Sequence, residues 1–109
     1  MRDKDLTKKF YLNNLGFNEL CDWGDYFMVS KEDVEIHYFL FKDLDPKENY
    51  GQIYLRVKSI DSVYNDLLGN DVEIHPAGHL QIKPWGQKEF ALLDPDNNLL
   101  TFGEHVIYK

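Results

Sequence analysis

The spacing of hydrophobic and polar positions changes period several times along this chain of 109 residues, and each change marks an element. In residues 59–69, Ile60, Val63, Tyr64, Leu67 and Leu68 fall at i, i+3, i+4, i+7 and i+8, the stripe of an amphipathic helix. Ser59 is placed to cap its first turn, Asp61 complements the dipole there, and Gly69 suits a left-handed exit. Residues 5–16 follow the same scheme, with Leu6, Phe10, Tyr11 and Leu15 on one side. Strand-like runs surround both helices: 17–23, 26–30 and 34–41 after the first, 50–57 before the second, and 72–75, 88–93 and 99–102 after it. The last two are joined by Asp94-Pro95-Asp96-Asn97-Asn98, where Pro95 presets φ for a turn and Asn97 and Asn98 tolerate the left-handed region.

These elements repeat. Tyr11, Leu15 and Gly16 recur 53 residues later as Tyr64, Leu68 and Gly69, and three strand-like runs follow each helix. The arrangement predicts an α+β fold of paired βαβββ modules within a single domain over 1–109, module one at about 1–45 and module two at about 50–105. The strand at 50–57 would have its equivalent from before Met1 to about Lys4, where there is no room for it. The first strand of module one is therefore expected to be missing, through a late start or through loss.

Strand alternation assigns side chains to faces. Ile53, Leu55 and Val57 should pack under helices, leaving Gln52, Tyr54 and Arg56 opposite. Val34, Ile36, Tyr38 and Leu40 likewise alternate with Glu35, His37, Phe39 and Phe41. A face mixing aromatic and polar groups has the composition of a binding site; the bland alternative is a solvated outer face. Trp85, between Pro84 and Gly86, fits no regular element, so it should either cap the core or line a cleft.

Composition narrows the class. Net charge is -7, and Lys and Arg form no cluster, which argues against nucleic acid. An acidic surface favours cationic ligands where charge lies at a cleft. Cys21 stands alone, so no intrachain disulfide forms and a reducing, cytoplasmic setting fits. No run approaches the ~20 apolar residues of a membrane span, and the first residues lack a signal-peptide hydrophobic core. His75 and His79 are separated by Pro76 and Gly78 and cannot share a helix face as a zinc pair, while His105 reads as exposed.

Two segments carry a family resemblance. Residues 84–98, PWGQKEFALLDPDNN, and residues 10–17, FYLNNLGF, resemble the PWGxxEFxLxDPxxN and FYxxxLGF segments of bleomycin resistance proteins in the glyoxalase/vicinal-oxygen-chelate superfamily. The resemblance implies that the two modules wrap their mixed faces round a concave cleft. Metal-dependent members draw His, Glu or Gln ligands from four equivalent strand positions. Here Gln52 replaces the usual imidazole, Glu35 falls near the first-module carboxylate, Thr101 stands at the second-module carboxylate, and the fourth ligand would belong to the missing strand. That set is poor for a divalent ion, so no metal or other cofactor is expected.

The function implied is stoichiometric binding of a small aromatic or cationic molecule, with nothing turned over, by a homodimer. Trp85 and Phe39 would stack on a planar moiety and Glu35 would attract a cationic group. Gln52, Tyr54 and His37 would supply hydrogen bonds, with Arg56 and Thr101 on the same mixed faces. Two other classes stay open: a metal-dependent lyase, isomerase or dioxygenase of the superfamily, and a divergent dimeric domain without a small-molecule site.

Overall fold

The structure, a computed structural model, describes residues 1–32 and 34–106. It divides into two compact units: Met1–Asn49 with Asp94–Asn97, and Tyr50–Leu93 with the chain from Asn98 onward. Among the described residues no helix is long and apolar enough to cross a membrane.

The first unit opens with helix α1 (Lys4–Lys8), which widens into a π-helical stretch over Lys9–Asn14. Asp3 caps it, its carboxylate accepting from the backbone N–H groups of Asp5 and Leu6. Strands β1 (Asn18–Asp22), β2 (Tyr26–Lys31) and β3 (Val34–Phe39) follow as an antiparallel sheet in the order β1-β2-β3. The wider helical turn moves the buried stripe to Thr7, Tyr11 and Leu15, while Leu6, expected on the inner side, is exposed. Thr7 is tolerated there because its hydroxyl donates to the Asp3 carbonyl. Tyr11 packs on Phe17 and Tyr38, with ring centroids 5.8 and 4.8 Å away, and Phe27 stacks on Tyr38. Each such aromatic contributes roughly 1.5–3 kcal/mol by leaving water.

The two motif segments meet inside this unit. The Tyr11 hydroxyl donates to Asp94 Oδ2 at 2.6 Å, and the other Asp94 oxygen accepts from the Asp96 N–H. Burial, reinforced by neighbouring Tyr38 and Asp94, holds the Tyr11 phenol far above its ordinary range, so it is a permanent donor. Asp96 in turn accepts from Arg2 Nε at 2.8 Å, and Asn97 adopts the expected left-handed conformation, φ 64°. The acidic turn is thus a structural joint of the first unit.

Among the described residues of this unit no strand precedes α1, but Met1 makes one bridge to the end of β3. The Met1 amine donates to the Phe39 carbonyl, and the Phe41 N–H donates to the Met1 carbonyl, the bonding pattern of a parallel ladder.

In the second unit, β4 (Gln52–Arg56) leads into α2 (Ile60–Gly69), then β5 (Gln81–Ile82), β6 (Gln87–Leu93) and β7 (Leu99–His105). The sheet order is β4-β7-β6-β5, with β4 parallel to β7 and the other pairs antiparallel. Helix α2 covers one face. Ile60 and Leu67 are buried, Tyr64 meets Phe90 edge-on at 5.0 Å, and Phe90 stacks on Phe102 at 4.9 Å.

Three local expectations change here. Ser59 has φ 56° and its side chain makes no capping bond; the Glu104 carboxylate accepts from the Ser59 and Ile60 N–H groups instead. Gly69 lies within the helix, and Asp71 takes the left-handed conformation that ends the turn, φ 59°. Residues 72–75 form no strand: Pro76 follows them, and the short strand is β5.

Candidate functional site

The face of the second sheet opposite α2 is set by alternation. Phe90 and Leu92 of β6 are buried on the helix side, which turns Gln87, Glu89 and Ala91 to the other face. Register places Glu89 opposite Gly103 and Gly103 opposite Arg56, while Ala91, Thr101 and Tyr54 form the next row. Gly103 carries the arrangement. A Cβ there would collide with the Tyr54 phenol, which leans across the bare glycine to reach Glu89. The Tyr54 hydroxyl donates to Glu89 Oε2 at 2.7 Å. Burial first, then this bond, pushes the Tyr54 phenol up to about 12.

Trp85 reaches the same carboxylate from the turn between β5 and β6. Lys83 N–H donates to Gln87, Gly86 N–H donates to Lys83, and Gly86 takes φ 80°, which closes the turn and pushes the indole outward. The ring is 64% exposed, so Trp85 does not cap the core. Its Nε1–H donates to Glu89 Oε2 at 3.1 Å, which fixes the ring beside the sheet. Glu89 itself is only 7% exposed. A cavity of about 150 Å³ opens in front of it, lined among others by Gly78, His79, Lys83, Trp85, Glu89 and Thr101.

Tyr54, Trp85 and Thr101 therefore gather round Glu89. Arg56 lies beside them, its guanidinium 5.8 Å from the Tyr54 ring and 3.2 Å from Gln87 Oε1. Gln52 shares their face but pairs in register with Leu99, two positions from Thr101. In the first unit, Glu35, His37 and Phe39 sit together on the exposed face of β3. Tyr26 Oη is 2.7 Å from His37 Nδ1, and His37 Nε2 is 2.9 Å from Glu35 Oε2. A ring with its proton on Nε2 satisfies both contacts, donating to Glu35 and accepting from Tyr26. Phe39 stacks on Phe41 at 6.4 Å.

Glu89 was not among the residues singled out from the sequence. Its signal was there: it lies four residues after Trp85 and alternates with Phe90 and Leu92. A strand glutamate in a short apolar run reads as solvated, however, and only the folded sheet shows it nearly buried. Metal ligation finds no support in the donor chemistry. Gln52 and Thr101 offer neutral oxygens, Glu35 is engaged by His37, and among the described residues no group of three His, Cys, Asp or Glu side chains could hold an ion.

Two sheets, each with a helix, and a repeated order of elements define an α+β fold of paired modules. The model of the Glyoxalase/Bleomycin resistance protein/Dioxygenase superfamily matches residues 1–102, and the chain belongs to that superfamily. It is 27% identical over 104 residues to a bleomycin resistance protein of Klebsiella pneumoniae, covering 91% of this chain and 82% of that protein. A bleomycin resistance protein of Geobacillus stearothermophilus is 33% identical over 52 residues, 48% of this chain and 39% of the relative. Among solved structures, a bleomycin-binding protein complexed with bleomycin superposes with TM-score 0.85 at 25% identity, over 96% of this chain and 92% of that one. The lactoylglutathione lyase of Agrobacterium tumefaciens shares the fold, with TM-score 0.75 at 15% identity over 94% and 86% of the two chains.

Proposed function

We propose that this protein binds a small molecule without transforming it, and that the ligand is aromatic, cationic or both, as bleomycin-class compounds are. The observation that carries the reading is the second unit's cavity, where an exposed indole stands beside a nearly buried carboxylate. Aromatic surface supplies stacking worth roughly 0.5–1.5 kcal/mol beyond area, and a desolvated carboxylate selects positive charge. Likeness to bleomycin resistance proteins along most of the chain supports the same reading. Phe39, His37 and Glu35, on the exposed face of β3, are proposed as ligand-binding groups of the first unit, and the working form is a two-fold homodimer.

The test is titration of a bleomycin-class glycopeptide, followed by mass spectrometry of the recovered compound. Trp85→Ala should weaken binding by about 1–3 kcal/mol, the range of aromatic hot spots. Because the ring is exposed, its loss should cost less stability than the ~3–5 kcal/mol of a buried aromatic. The Trp23→Phe background isolates the fluorescence of Trp85. Unchanged affinity in Trp85→Ala, or a chemically altered ligand, would overturn the proposal.

A further inference from the structure

We infer that Glu89 anchors a cationic nitrogen carried on a single planar ring, an amidinium or protonated amine, with the ring held beside Trp85. The inference rests on the binding reading above and names the group that this subsite takes. Four observations converge on it.

Glu89 is more than nine-tenths buried, yet both of its donors, Tyr54 and Trp85, are neutral and both serve Oε2. Oε1 receives no donor among the described residues and keeps access to solvent, and Glu89 forms no ion pair with any of them. A buried carboxylate ordinarily has a cationic partner. The side chain lines the cavity, so a cation entering there supplies that partner.

The cavity measures about 150 Å³. A space near 150 Å³ holds a benzene-sized molecule, so one ring and its substituent match the group inserted here. The Trp85 N–H donates to the same carboxylate, which sets the indole beside the charge. A cation on the ligand's ring can then meet Glu89 while the ring itself rests on the indole.

Lys83 marks the site from the other side. Its Nζ lies 5.9 Å from the Trp85 ring centroid, so the protein's own cation already occupies the aromatic surface without reaching Glu89. Lys83 is a competitor that an entering cation must displace. Glu35, by contrast, has one oxygen bonded to His37, and its side chain is more than half exposed, so its charge is partly engaged and well screened.

The test uses the full chain and three probes of one size: benzamidinium, neutral benzamide and anionic benzoate, titrated by calorimetry or amide chemical shifts. Benzamidinium should bind at least tenfold more tightly than benzamide, as expected for a hydrogen bond between charged groups, worth about 1.5–3 kcal/mol. Glu89→Gln should remove that advantage, bringing benzamidinium down to the affinity of benzamide, while an unchanged melting temperature and amide spectrum report a folded cavity. Lys83→Met should tighten benzamidinium binding roughly two- to fivefold. Should Glu89→Gln not fold, the Lys83→Met result carries the test alone. Equal binding of benzamidinium and benzamide, preference for benzoate, or no change in either variant would overturn the inference. Glycopeptide affinity in the same proteins separates the two readings. Binding unaffected by Glu89→Gln removes this subsite and leaves the general function standing. Benzamidinium selectivity without glycopeptide binding leaves the subsite and removes the bleomycin-like ligand.

Discussion

At the scale of single residues, the site depends on an absent side chain. Gly103 has ordinary backbone angles, so alanine fits its main chain; the conflict is with the Tyr54 phenol lying over it. In Gly103→Ala that ring must swing away and lose Glu89. The Tyr54 phenol should then titrate below the value of about 12 that it holds in the wild type, nearer the ordinary ~10. Absorbance at alkaline pH, with Tyr54→Phe identifying the transition, reads this; an unmoved transition would show that the phenol is held by something other than this contact. The sign of the stability effect follows. A phenol with a raised value keeps its proton longer folded than unfolded, so its contribution is complete below ~10 and is lost as pH rises toward about 12. Tyr11 and Tyr38 are raised as well, so Tyr54→Phe should flatten the alkaline decline only in part. The outward placement of Trp85 and Tyr54 was legible because a tryptophan between proline and glycine and a tyrosine of outer-face parity are visible in one dimension. Glu89 and Gly103 were not, because the burial of one and the vacancy of the other arise only when β4, β7 and β6 lie side by side.

Among the elements, the contrast between local and distant causes is sharpest at α2. Its apolar stripe follows from 3.6-residue periodicity: Ile60 and Leu67 are buried and Val63 and Tyr64 half-buried, but Leu68, at the edge of the stripe, is exposed. Its cap does not follow from any nearby residue, since Glu104 comes from the end of β7. Glu104→Ala should lower stability in urea by about 1 kcal/mol, the usual worth of an N-terminal cap. Ser59→Gly should be neutral or stabilising, because glycine adopts φ 56° without strain. A large loss in Ser59→Gly with none in Glu104→Ala would return the capping role to the serine. The same division explains the strands. β2, β3 and β4 announce themselves by alternation, whereas the two-residue β5 and the bridge at Met1 exist only through their partners. Thr7 replaced Leu6 in the first helix's buried stripe because a π-helical turn changes which side chain faces inward.

At the scale of the whole molecule, the donor chemistry predicts indifference to divalent metal ions. Adding Zn²⁺, Ni²⁺ or Mn²⁺ should leave the melting temperature nearly unchanged, since Gln52 and Thr101 are weak ligands and Glu35 is engaged. A ligand of the folded state at 100 times its dissociation constant would add about 2.7 kcal/mol, a shift of several degrees that a melt detects easily. A saturable rise abolished by Glu35→Ala would favour the metal-dependent members of the superfamily. The first unit leaves Trp23, Tyr26, Phe39 and Phe41 open to solvent, and at 109 residues the chain buries a limited share of its own surface. A net charge of -7 keeps such a surface soluble but opposes unguided association, which favours a defined two-fold contact over aggregation. A stable contact of this kind buries about 1,200 Å² or more. Light scattering should therefore give twice the chain mass at tens of micromolar, and Trp23→Lys should shift the equilibrium toward monomer without loss of helical signal. Concentration-independent monomer in the unaltered protein would remove the dimer and leave ligand binding to be explained by one chain.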